Sequence, residues 1–64
     1  MLYTSLSGEC FIFKNMSMSQ ITWKVCEYID REILHPDDMT NFVMDVYNNH
    51  GRERFDEMCQ ALNK

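Results

Sequence analysis

Glycine and proline are scarce in this chain: two glycines and one proline stand among its 64 residues. Loops that bring backbone close to a phosphate or cofactor depend on glycine, so such loops have few places to form. Neither a phosphate-binding loop nor a nucleophile elbow is present. Cysteine is sparse and odd in number: Cys10, Cys26 and Cys59 lie far apart, with no C-x-x-C pair. A secreted mini-protein stapled by disulfides carries an even set, so reduced thiols in a cytoplasmic setting are expected. His35 and His50 join those cysteines as the remaining soft donors. None of the five is paired at the short spacing that zinc sites in small chains use. No metal or cofactor is therefore expected.

Long apolar runs are missing as well. No stretch approaches the ~18 residues that cross a bilayer. Met1 to Phe13 has neither the basic start nor the unbroken apolar centre of a signal peptide. Positive charge is in short supply: six Lys and Arg stand against ten Asp and Glu, a net charge of −4. That balance disfavours direct binding to nucleic acid or to an anionic membrane, both of which require a positive surface.

Apolar patterning is what the chain does have. Met39, Phe42, Val43, Val46 and Tyr47 form one stripe at steps of three and four, and Phe55, Met58, Cys59 and Leu62 form a second. Such steps place residues on one face of a helix. Gly51 lies between the stripes, where a helix can end through a left-handed residue. Ser17 and Gln20 have capping-box spacing, and the stripe Ile21, Val25, Tyr28, Ile29, Ile33 follows. Pro36 stops that helix and suits the first position of the next. Asp37 and Asp38 then favour the positive end of the helix dipole.

These features predict a mainly α fold: a small three-helix domain with helices at about 18–34, 36–50 and 52–63. Residues 2–13 are different, with aromatic and β-branched residues around Ser7-Gly8. They predict a β-hairpin, in which a two-residue turn at Ser7-Gly8 pairs residues 2–6 with 9–13, or an extended arm. The chain reads as a single domain over 1–64, with 1–16 as hairpin or arm and 17–64 as helical core.

A chain this short buries only ~60% of the surface its unfolded form exposes, so its core is small. A pocket of ~300 Å³ or more beside that core is hard to accommodate, and no enzymatic role is expected. Surface residues carry the functional reading. Trp23 and Leu34 fall opposite the main stripe of the first helix, and Met44 falls off the stripe of the second. A tryptophan on a charged face is a natural interface anchor. The leading expectation is a small acidic interaction or regulatory protein that forms a homodimer with Trp23 at or near the interface.

Two alternatives stand beside it. Asp37, Asp38 and Asp45, with the other acids, could imitate a phosphate track. Small acidic inhibitors of nucleic-acid enzymes in bacteriophage and their hosts use that physics. Alternatively, the helices around Gly51 could form a helix-turn-helix that reads DNA with Arg52 and Arg54. Glu53, Asp56 and Glu57 on the same helix oppose this last reading.

The stripes place Phe42, Val46, Phe55 and Leu62 against Val25 and Ile29. Truncating Phe42 or Phe55 to Ala is therefore expected to cost ~3–5 kcal/mol, close to all the stability so small a domain has. Urea denaturation of the two variants measures it.

Overall fold

The computed structural model describes residues 1–63; the last residue of the expected helical core, Lys64, lies outside them. Two strands, β1 (Leu2–Thr4) and β2 (Cys10–Ile12), precede three helices, α1 (Met18–Asp30), α2 (Asp37–Asn49) and α3 (Gly51–Leu62). The expected architecture is thus present, with the hairpin in place of an arm. None of the helices is long and apolar enough to cross a membrane.

The hairpin register differs from the expected one. Leu2 pairs with Ile12, Tyr3 with Phe11 and Thr4 with Cys10, which leaves a three-residue loop, Leu6-Ser7-Gly8. Gly8 N–H donates to Ser5 O at 3.0 Å and Ser5 N–H to Glu9 O at 2.8 Å. The reason lies in the order Ser-Gly. A two-residue hairpin turn needs positive φ at its first central position, and here only the second is glycine. Gly8, at φ +92°, instead supplies the left-handed residue that closes a three-residue loop. The one-residue slip matters because it exchanges the two faces of the strands. Tyr3 and Phe13 turn inward and are buried, whereas Leu2 and Ile12 face out.

Helix α1 begins as its capping box predicts. Ser17 Oγ accepts from Gln20 N–H at 3.2 Å, and Gln20 Oε1 accepts from Ser17 N–H at 2.9 Å. It ends earlier than expected, at Asp30 rather than Leu34. Glu32 takes up a left-handed conformation, φ +62°. Ile33 N–H then reaches back to Tyr28 O at 2.8 Å and Glu32 N–H to Ile29 O at 3.0 Å, the paired bonds of a Schellman stop. Beyond this stop the helical periodicity no longer says which way a side chain points. Leu34, expected opposite the core, is 3% exposed, and Ile33, expected on the stripe, is 46% exposed.

A reciprocal cap starts α2. His35 Nδ1 accepts from Asp37 N–H at 3.1 Å, and Asp38 Oδ2 accepts from His35 N–H at 3.0 Å. A single residue, His50, separates α2 from α3, and Gly51 makes the corner at φ +81°. Helix α3 packs on both α1 and α2.

The core joins Tyr3 and Phe13 of the hairpin to Met18, Ile21 and Val25 of α1, Leu34, Phe42 and Val46, and Met58 of α3. Aromatic rings bind hairpin to helices: Tyr3 meets Phe42 edge-on at 5.6 Å between centroids, and Phe11 lies 5.5 Å from Tyr28. Phe42 and Val46 are fully buried as expected. Phe55 is only half-buried, and Leu62 and Tyr47 are exposed. Both lie at margins of their stripes. Tyr47 packs edge-on against Phe55 at 5.2 Å, outside the core. Truncation of Phe55 therefore costs less than that of Phe42.

Glu32 carries a conformational penalty that glycine lacks, ~1–2 kcal/mol for a left-handed L-residue. Glu32→Gly is expected to raise stability by ~0.5–1 kcal/mol after the extra flexibility of the unfolded chain is offset. Thermal melts of the two proteins check the sign.

Candidate interaction surface

Trp23 stands on the outer side of α1 with 54% of its surface exposed. A groove beside it runs between α1 and α3, lined by Thr22, Cys26, Ala61 and Leu62. Leu62 is itself 39% exposed, so apolar surface continues from one helix to the other. Charges border the indole on its other side. Lys24 Nζ lies 3.0 Å from Glu27 Oε2, and Arg31 reaches Glu27 Oε1 at 3.4 Å. The hydrogen bond from Lys24, then the charges of Arg31 and Lys24, hold the Glu27 carboxyl below its ordinary value. The Cys26 thiol is pushed up, first by burial and then by the charge of Asp30. It stays protonated at neutral pH and serves as a small apolar lining residue.

The other expected surface residues divide. Met44 is exposed, 51%, as is Asp37. They meet at a second hollow, with Thr40, Asn41 and the hairpin-loop residue Leu6. Leu34 is not at a surface, since it belongs to the core.

Asp38 is likewise no surface acid. It is 2% exposed. Its Oδ1 accepts from the Tyr3 hydroxyl at 2.8 Å and from Leu6 N–H at 2.9 Å, while Oδ2 holds His35 N–H. Asn41 Nδ2 donates in turn to the Tyr3 hydroxyl at 2.9 Å. Burial alone raises the Asp38 carboxyl. Hydrogen bonds from Leu6, Tyr3 and His35, with the charge of His35, outweigh it, and the net shift is below 3.8. Tyr3 moves the other way, up to about 12. Burial is the chief cause, and the Asp38 hydrogen bond and charge add to it against the hydrogen bond from Asn41.

Asp45 is half-buried. Its Oδ1 accepts from Asn49 Nδ2 at 2.9 Å, and its Oδ2 lies 3.8 Å from His50 Nε2 without a hydrogen bond. Of the acids, Asp38 is sunk, Asp45 recessed and Glu27 held between two cations, whereas Asp37 is exposed. Arg52 and Arg54 are exposed at the start of α3. The single residue before that helix is shorter than the three or four residues of a helix-turn-helix turn.

Leu6 and Tyr3 were not singled out by the sequence. A large apolar residue at a loop position that favours polar ones was the available signal for Leu6. Among the described residues no group of three or more His, Cys, Asp or Glu is placed to hold a metal ion. The three thiols are unpaired. Comparison with protein-family models, curated proteins and solved structures finds no match.

The Tyr3–Asp38 pair sets a pH dependence at both ends. Tyr3, raised in the folded state, contributes stability that is full below pH 10.0 and lost as pH rises toward about 12. Asp38, lowered, contributes stability that is full above pH 3.8 and lost as pH falls through its folded value. Urea midpoints taken across the alkaline window are expected to fall for the native chain and to fall less for Tyr3→Phe.

Proposed function

We propose that this chain is a small protein-interaction or regulatory protein that acts without catalysis and pairs with a second copy of itself through the Trp23 face. One observation carries the reading: the exposed indole is continuous with the groove that ends at Leu62 of α3. Large aromatic residues in partly formed pockets are where interfaces concentrate their binding energy. A standard interface takes ~800 Å² from each partner, about a fifth of the 4497 Å² this chain exposes. Covering that much apolar surface adds to a core that a chain of this length cannot enlarge by itself. The mixed charges around Trp23, Lys24 and Arg31 against Glu27, suit a two-fold pairing, because each charge then finds its opposite on the other copy. Three unpaired thiols fit a reducing compartment such as the cytoplasm.

Trp23 is the chain's single tryptophan, so its emission reports on this face alone. Sedimentation at micromolar concentration is expected to give a dimer, with emission shifting to the blue as protein concentration rises. Trp23→Glu is expected to sediment as a monomer and to melt at a temperature that no longer depends on protein concentration. A native chain that stays monomeric, or a dimer whose emission does not respond to concentration, overturns the proposal.

A further inference from the structure

The hollow between the hairpin loop and α2 is a separate surface from the Trp23 face. Leu6, 61% exposed, stands on one side and Met44, 51% exposed, on the other. Asp37, Thr40 and Asn41 complete the lining. Its shape is held before any partner arrives. Leu6 N–H is bonded to Asp38 Oδ1, and Asn41 bridges α2 to the Tyr3 hydroxyl, so loop and helix are tied together. Preformed apolar surface of this kind binds without the cost of ordering it.

The polar groups around the hollow offer mainly acceptors. Asp37 carries an exposed carboxylate, with 78% of its side chain accessible and Oδ2 3.5 Å from His35 Nδ1. Asn41 has its orientation set by the network. The Tyr3 hydroxyl donates to Asp38, so it accepts from Asn41 Nδ2, which also reaches Thr4 O at 3.4 Å. The Asn41 carbonyl is left as an acceptor. Thr40 adds a hydroxyl. The first amides of α2, which would attract an anion, are already satisfied: Asp37 N–H by His35 Nδ1, Asp38 N–H by His35 O and Met39 N–H by Pro36 O. The two segments that build the hollow are acidic in their side chains. Residues 1–13 and 32–51 contain Glu9, Glu32, Asp37, Asp38 and Asp45 and not one Lys or Arg. Among the described residues, Lys24 and Arg31 lie on α1 or its end, Arg52 and Arg54 on α3, and Lys14 in the connector.

We propose that this hollow docks a cationic segment of a partner protein. One apolar side chain of the segment seats between Leu6 and Met44, and a neighbouring Lys or Arg pairs with the Asp37 carboxylate. Methionine suits the seat because its unbranched side chain adapts to the shape of what it covers. The acceptor-rich rim selects a donor-bearing flank, and the acidic side chains steer a basic partner and repel an acidic one.

A short synthetic peptide of alternating Leu and Lys is the probe, and its Leu–Glu counterpart is the control. Both are titrated into protein labelled at the methionine methyls, with Met44→Leu assigning the Met44 signal. The expected result is saturable movement of the Met44 methyl and the Leu6 amide with the Lys peptide alone, weakening as salt rises. Asp37→Lys and Met44→Ala are each expected to weaken binding by about fivefold to tenfold, while Glu53→Lys, the same charge change on α3, leaves it within about twofold. Equal binding of the Glu peptide, an equal effect of Glu53→Lys, or shifts that gather at Trp23 and Leu62 overturn the proposal. Movement of the Met44 methyl on concentrating the protein alone, without peptide, assigns the hollow to a second copy and overturns it too. The Trp23 dimer is read by sedimentation, so either proposal can fail without the other.

Discussion

A single buried carboxylate organises this molecule. Asp38 is the only carboxylate, lysine, arginine or histidine in the buried set among the described residues. A charge removed from water must find hydrogen-bond donors or it destabilises the fold by several kcal/mol. It finds three, and they come from separate segments: the Tyr3 hydroxyl on β1, Leu6 N–H in the hairpin loop and His35 N–H at the start of α2. Charge-assisted bonds of this type are about twice as strong as neutral ones. The same group therefore starts a helix and holds the hairpin on it. Removing the carboxylate would leave Leu6 N–H and His35 N–H without an acceptor, and the Tyr3 hydroxyl with only Asp38 O at 3.2 Å.

That attachment determines how the small core is filled. A two-stranded hairpin alone is marginal in water. Anchored at Asp38, it places Tyr3 edge-on against Phe42 and brings Phe11 and Phe13 to Tyr28. The hairpin thus supplies two buried aromatic residues to a core that three short helices could not complete. Its outer face, with Leu2 and Ile12, is left to solvent.

With the core complete, the remaining apolar residues have nowhere inside to go. Two groups of them, apart from Leu2, Ile12, Ile33 and Tyr47, sit in places of different electrostatic character. Trp23 and the α1–α3 groove are bordered by charges of both signs. Leu6 and Met44 lie on segments, 1–13 and 32–51, whose Asp and Glu side chains face no Lys or Arg within the same segments, and Asp37 lines the hollow itself. Mixed charge favours self-complementary pairing, whereas an acidic surface favours a partner of opposite charge. The two surfaces are accordingly read as having different occupants.

Much of the fold was legible along the chain because it rests on local rules. Ser17 with Gln20 marks a helix start through bonds three residues apart, Pro36 and Gly51 mark boundaries through their own backbone limits, and the stripes through Phe42 and Val46 follow helical geometry. The exposure of Trp23 and Met44 followed from the same periodicity. Three features were decided only in three dimensions. The hairpin register depended on which residue could take positive φ in the loop and on which face met the helices. Leu34 lies past a left-handed Glu32 stop, where helical periodicity no longer applies, and its burial was set by the turn that follows. Asp38 reads in sequence as an ordinary acid of a first helical turn. Its burial came from a tyrosine and a loop amide more than thirty residues away, and no local pattern encodes a hydrogen bond that only the packing of distant segments creates.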